Sequence, residues 1–164
     1  LGVNMPKWTG GMTNTFRYKN LELSVFIYTS QGAYSFSYFH RSHAWDQDNR
    51  PARFNGLKTN YWTPDNPSDD WYQPGNGGPY SEGRYYQDVS FTKVGYITLG
   101  YNLPQQLLSR AGISRLRVYA TVQNPFLFTE YEGWNPENAA RNSWGSAFMN
   151  RTYMLGLNVN LGSR

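Results

Sequence analysis

Apolar residues fall at every second position between Thr152 and Leu161: Tyr153, Leu155, Leu157, Val159 and Leu161 alternate with Thr152, Gly156, Asn158 and Asn160, and Met154 is the exception in the second set. A strand projects successive side chains to opposite faces, so this stretch has one greasy face and one small, polar face. The same period runs through three earlier stretches. Leu21, Leu23, Val25, Ile27 and Thr29 oppose Glu22, Ser24, Phe26, Tyr28 and Ser30. Ile97, Leu99, Tyr101 and Leu103 oppose Tyr96, Thr98, Gly100 and Asn102. Leu116, Val118, Ala120 and Val122 oppose Arg115, Arg117, Tyr119, Thr121 and Gln123. Residues 12–18 alternate more loosely, and Lys19-Asn20 forms a tight-turn candidate joining them to the next strand. The pattern predicts an all-β chain of about five long antiparallel strands. A soluble sandwich buries such a greasy face in its core, whereas a membrane barrel turns it to lipid.

The connections discriminate between these two. Those at 19–20 and 105–112 are short; Pro104 ends the strand before the second, which has room for one helical turn. Those at 32–90 and 130–149 are long, polar and rich in Gly, Asn and aromatic residues. Strict alternation of short and long connections marks an outer-membrane barrel, with short periplasmic turns and long extracellular loops. A compact soluble domain rarely carries such long connections without a use for them. The strands also reach the roughly 9–11 residues that a tilted strand needs to cross hydrocarbon. Five strands cannot close a membrane barrel, whose smallest form has about eight, and open edges in lipid leave backbone groups unpaired. The chain therefore reads as an antiparallel transmembrane β-barrel segment of a larger barrel. The alternative is a secreted, carbohydrate-binding β-sandwich.

Composition sharpens this reading. The 164 residues are 39% hydrophobic, yet 18% are aromatic, with 14 Tyr and 6 Trp. Tyr and Trp suit a boundary where a ring meets hydrocarbon and its polar tip meets water, and flat rings also stack on sugars. The net charge of +4 is spread along the chain and gives no nucleic-acid footprint. The absence of cysteine excludes disulfides and thiolate metal sites. No apolar run approaches a spanning helix. Leu1-Gly-Val-Asn4 has neither a signal peptide nor an initiator Met, so a fragment or mature piece is expected, and residues 162–164 read as a vector-derived scar.

Candidate chemistry is sparse. His40 and His43 could share a helical turn, and a short helix is expected over 43–48, but no third ligand stands at zinc spacing. Asp46-Gln-Asp-Asn49 hints at a calcium loop, yet Pro51 stands where such a loop needs Gly and no Glu closes it. Asp65, Asp69 and Asp70 read as turn formers. No serine lies in a nucleophile motif and no Gly-rich phosphate loop follows a strand, so no enzyme, cofactor or metal is expected. Binding residues are better candidates: Trp62, Trp71, Tyr72 and Trp134 stand among Asn, Asp and Gly in the long connections, where they either stack on a ligand or pack loop on loop. By the alternation, Arg115, Arg117 and Tyr119 point into the lumen near the periplasmic end, where they would hold carboxylates or be solvated. Tyr101, Tyr153, Phe126 and Phe128 fit the interfacial girdles.

Four ordered motifs then carry a resemblance. Asp88-Val-Ser-Phe-Thr-Lys-Val-Gly-Tyr-Ile-Thr-Leu-Gly-Tyr-Asn-Leu-Pro104 resembles the penultimate-hairpin segment of the SusC/RagA family of TonB-dependent outer-membrane transporters. Pro6-Lys-Trp-Thr-Gly-Gly11, followed by Phe16-Arg-Tyr-Lys-Asn-Leu-Glu-Leu-Ser24, resembles the entry into an earlier hairpin. The segment 117–133 resembles a strand ending in a Gln-Asn turn and an aromatic-Thr pair, and Trp134-Asn-Pro-Glu137 resembles an Asp-Pro-Glu motif with Asn135 in the Asp position. Tyr153 to Leu161 resembles the closing strand, with Leu161 and the residues after it where the family usually has a terminal Phe. The resemblance implies that residues 1–161 are the C-terminal part of a plugged barrel of about 22 strands. It implies energy-coupled import of oligosaccharides or peptides across the bacterial outer membrane, a SusD-like surface lipoprotein as lid, and TonB acting through an N-terminal region and plug that this chain does not include.

Overall fold

The computed structural model describes residues 2–37, 60, 62–68, 82–109, 112–139 and 148–161. The chain divides into two compact units, one containing residues 8–30, 91–129 and 150–164, the other 1–7, 31–90 and 130–149.

The first unit is a five-stranded sheet in the order β1 (Trp8–Tyr18), β2 (Leu21–Gln31), β5 (Phe91–Asn102), β6 (Ile113–Thr129) and β7 (Thr152–Leu161). These are the five predicted strands, with β1 starting earlier than its loose alternation indicates. The short connections behave as expected. Lys19 takes a positive φ of 52° in the two-residue turn, and α1 (Gln105–Leu108) supplies a single helical turn after Pro104. The β2–β5, β5–β6 and β6–β7 pairings are antiparallel.

One irregularity crosses the sheet. Phe26 and Ile27 are adjacent on β2, but their partners Tyr96 and Val94 are separated by Gly95 on β5. The partners of those two on β6, Gln123 and Phe126, are separated by Asn124 and Pro125. Each successive strand thus gains a residue, the geometry of a bulge that bends the sheet and increases its twist. Asn124 takes φ 50°, a left-handed conformation that Asn tolerates, and Pro125 sits where no ladder hydrogen bond is required. β6 continues through Gln123-Asn124, where the family resemblance has a turn, to Thr129. Arg151 Nη2 donates to the Pro125 carbonyl at 2.7 Å, and Asn124 Nδ2 donates to Asn150 O at 3.2 Å, which tie the kink to the residues entering β7.

The second unit is built from the long connections and the first residues of the chain. Its strands β3 (Tyr34–Phe36) and β4 (Tyr86–Asp88) form an antiparallel pair. The amide of Tyr34 donates to Val3 O, that of Ser37 to Tyr85 O and that of Val89 to Ala33 O, all within 2.9 Å. Ala33, Val89, Tyr131 and Ala139 form its apolar core. Gly32, at φ 80°, turns the chain into β3 with the stem of Lys7 against it. The helix expected over 43–48, His40, His43 and residues 162–164 lie outside the described residues.

Candidate functional site

Register places the apolar alternation on one face of the sheet. Leu23, Leu99, Ala120 and Leu155 form one cross-strand row, Val25, Ile97, Val122 and Tyr153 a second, and Leu21, Tyr101, Val118 and Leu157 a third. Leu99 lies on the central strand, flanked on both sides, and is still 50% exposed; Leu157 is 65% exposed. The girdle candidates Tyr101, Tyr153, Phe126 and Phe128 are also exposed on this face. So large a contiguous apolar surface is untenable in water and demands a covering apolar phase. A sandwich would cover it with a second sheet; among the described residues none does.

The opposite face is polar and alternates large with small. The row Glu22, Gly100, Tyr119, Gly156 sets a long side chain beside a residue with none, twice over. Arg117 folds across the first gap: a Cβ at Gly100 would lie 2.7 Å from its Nε and Nη2. Tyr119 folds across the second, its ring occupying the space a Cβ at Gly156 would need. From this position Arg117 Nη2 donates to Glu22 Oε1 at 2.6 Å, while Arg17 Nε donates to Glu22 Oε2 at 2.8 Å. One carboxylate therefore bridges two guanidiniums from β1 and β6. The Arg17 side chain is 75% exposed, so solvent screens its pair and leaves it a weak contributor. The Arg117–Glu22 pair is mostly covered, with side chains 25% and 21% exposed, and the short contact there is charge-assisted. Arg115 Nη2 donates to Asn102 Oδ1 at 3.2 Å, and the Arg117 guanidinium lies 5.8 Å from the centre of the Tyr119 ring. Further along, Thr98 and Thr121 share a hydroxyl hydrogen bond of 2.8 Å.

The sequence expectation for Arg115, Arg117 and Tyr119 thus meets a built cluster on one face, at the end of the sheet where Asn102 N bonds Asn20 O beside the short turn. Glu22, Arg17 and the two glycines were missed. The available signal was Glu22 as the acidic residue of the polar set on β2, but its partner is 95 residues away and only register brings them together. Phe26 was also missed: its ring lies over Gly11 and Gly95 and stacks on Tyr96 at 5.6 Å and 24°.

Of the four loop aromatics, Trp134 and Trp62 are described, and Trp71 and Tyr72 lie outside the described residues. Trp134 stacks on Phe148 at 4.9 Å and 26°, the loop-packing outcome. Trp62 is exposed and precedes the Thr63–Asn66 turn, where Asn66 N donates to Thr63 Oγ1 at 2.9 Å. Asn135 is buried and its Oδ1 accepts from Glu137 N at 3.0 Å, starting the 3-10 turn Pro136–Asn138. Asp and Asn both offer that oxygen, so the departure from Asp-Pro-Glu keeps the cap. In the same unit, Ser37, with no exposed surface, shares a 2.7 Å hydrogen bond with the Tyr131 hydroxyl. Burial pushes the Tyr131 phenol above its ordinary range, and the Ser37 bond opposes that shift. Among the described residues no group of His, Asp and Glu is placed to hold a metal, and no helix is long and apolar enough to cross a membrane.

No protein-family model matches the chain. It is 30% identical to TonB-dependent receptor P3 of Formosa agariphila over 97% of its own length and 17% of that protein's, and equally to TonB-dependent receptor P26 of the same organism. It is 33% identical to TonB-dependent receptor SusC of Bacteroides thetaiotaomicron over 50% of its length and 8% of that protein's. Among solved structures, the RagAB peptide importer in its closed-closed state aligns over 94% of this chain and 17% of its own, with a TM-score of 0.72 at 21% identity. The RagAB peptide transporter aligns over 92% and 17%, with a TM-score of 0.74 at 21% identity. At that identity the structural likeness speaks for the fold: five strands of an antiparallel transmembrane barrel. The chain spans about a sixth of the length of the curated relatives it matches. Relatives covering nearly all of it are receptors rather than enzymes, and the strand register and apolar face agree with them: the chain is similar, over nearly its whole length, to a β-barrel segment of TonB-dependent receptors, with SusC among the relatives that match half of it.

Proposed function

We propose that the protein imports oligosaccharides or peptides across the bacterial outer membrane. In this reading the sheet forms part of the lipid-facing wall of a barrel whose extracellular rim is made by long loops. The observation that carries it is the exposed apolar face, three cross-strand rows deep, backed by a polar face with its own ion network. The polar face lines the pore, with Arg115, Arg117 and Tyr119 toward the periplasmic side. A SusD-like lipoprotein caps the rim, and TonB acts through a portion of the receptor outside this chain. Trp62, Trp71, Tyr72 and Trp134, all in the long connections of the sequence, are the residues proposed to meet substrate or lid.

The test uses the complete receptor in its native membrane. Single cysteines at Leu99 and Leu157 should react with a lipid-partitioning maleimide and resist a membrane-impermeant one, whereas Thr98→Cys should not react from lipid. A strain lacking the receptor should lose growth on one class of oligosaccharide or peptide and regain it on complementation. Labelling of Leu99→Cys from water as fast as Thr98→Cys would remove the wall assignment. Unchanged growth on every oligosaccharide and peptide tested would remove the import assignment.

A further inference from the structure

The apolar face ends at a defined line. Above the Val25 row come Ile27, Val94 and Phe126, and one row further stand Thr29, Thr92 and Phe128. The two threonine hydroxyls share a 2.9 Å hydrogen bond, so the face turns polar there, while the exposed rings of Phe126, Phe128 and Tyr153 mark its rim. Aromatic rings gather where hydrocarbon meets headgroups. The next residue in the alternation above Tyr153 is Arg151, exposed and charged, just before β7 begins. The kink sets its place. Its Nη2 donates to the Pro125 carbonyl at 2.7 Å, where the β6–β7 ladder has ended and β6 runs on alone to Thr129. A long basic side chain at a membrane rim ordinarily reaches outward to keep its charge in water. Arg151 is instead tied back to the sheet. A guanidinium has five N–H donors, and this bond uses one. Among the described residues the ion pairs are those of Glu22 with Arg17 and Arg117, so no carboxylate of that set answers Arg151.

We infer that Arg151 binds the phosphate of a membrane lipid in the outer leaflet, with the acyl chains lying along Phe126 and Tyr153. The inference rests on the reading of the apolar face as the lipid-facing wall. Charge complementarity selects an anion, and the guanidinium fork matches a pair of phosphate oxygens. The surroundings select a lipid as its source, because exposed rings on the same face flank the cation and a free anion would leave them uncovered. Depth agrees, since the guanidinium is held at the Pro125 carbonyl, next in the chain to the last apolar row. The leaflet follows from the end of the sheet, which is opposite the short turn at Lys19. A substrate in the pore would meet the other face.

The test uses the complete receptor in a phosphate-free detergent. It is titrated with a phosphatidic acid and with the diacylglycerol of the same chains, and bound lipid is counted by native mass spectrometry. Arg151→Gln removes the charge but keeps an N–H donor for the Pro125 carbonyl, so the kink should stand. Its first phosphatidic acid should bind about tenfold more weakly than that of wild type, the size of one charge-assisted hydrogen bond. Diacylglycerol binding should not change, and Arg151→Lys, which keeps the charge without the fork, should recover part of the affinity. Equal affinity of wild type and Arg151→Gln for phosphatidic acid would overturn the inference. An equal loss in Arg17→Gln, on the polar face, would assign the effect to net charge, and displacement of the lipid by inorganic phosphate at the same concentration would assign it to a free anion; either overturns it too. Lipid-phase labelling of Leu99→Cys reports on the wall assignment separately, so a labelled Leu99→Cys with no effect at Arg151 sinks the lipid site alone.

Discussion

The ring of Tyr119 lies over the backbone of Gly156, filling the space that any side chain there would take. The contact couples β6 to β7 on the polar face, since the two residues are register partners. Gly156→Ala should therefore force the ring off its seat and cost about 1–3 kcal/mol, the usual range for overpacking. Tyr119→Ala should relieve it, so the double variant should be less destabilised than the two single changes predict. Urea unfolding of the complete receptor in lipid, followed over the four proteins of the cycle, measures this. Additivity within about 0.5 kcal/mol would mean that the ring does not depend on Gly156.

Charge placed on the apolar face should separate the two sides of the sheet sharply. Leu99 and Thr98 are neighbours in sequence on the central strand and face opposite ways. Leu99→Arg should destabilise the inserted receptor by about 2–4 kcal/mol if it lies near the bilayer midplane. Thr98→Arg loses the 2.8 Å hydroxyl pair with Thr121 but places its charge on a face already populated by arginines, so it should cost far less. Equal costs in a refolding titration from urea into vesicles would contradict the facing assignment.

Why some of this was legible in sequence follows from distance along the chain. Period-two alternation is local, so the strands, the faces of Leu99 and Tyr119 and the turn at Lys19 could be read directly. The kink at Gln123-Asn124-Pro125 was not legible, because Asn and Pro mark turns as readily; nothing local says that β5 supplies Gly95 opposite them and keeps the ladder going. The bridge from Glu22 to Arg117 depends on register across β5, and no pattern within either strand encodes it. Trp134 stood out in sequence as an aromatic in a Gly- and Asn-rich segment, but its stacking on Phe148 depends on how that segment folds back.

The Ser37–Tyr131 pair should behave as a buried unit. Both hydroxyls are covered, and each is the other's 2.7 Å partner. Tyr131→Phe removes the 2.7 Å hydroxyl bond and should cost about 0.5–1.5 kcal/mol in the second unit. The double variant with Ser37→Ala should lose less than the two single changes predict, since each single change already breaks the shared bond. Native-state hydrogen exchange at the amides of Tyr34, Ser37 and Val89, which hold β3 and β4 in place, reports the opening of this unit without unfolding the sheet. Protection unchanged in Tyr131→Phe would show that the hydroxyl pair contributes nothing.

The same pair sets an alkaline limit. Burial is the larger effect on the Tyr131 phenol and raises its pKa, with the Ser37 bond acting the other way. In an unfolded segment the phenol titrates near pH 10, at about the ordinary tyrosine value. A folded value above the unfolded one means that the folded form holds its proton more tightly. The resulting contribution to stability is complete below about pH 10 and is lost as pH rises through the folded value. Exchange protection at Tyr34, Ser37 and Val89, corrected for base-catalysed chemistry, should therefore stay flat from neutrality to about pH 10 and then fall. In Tyr131→Phe, which has no proton to lose there, the step should vanish while the overall protection is lower. A step that survives the Phe substitution would assign the alkaline transition to another group.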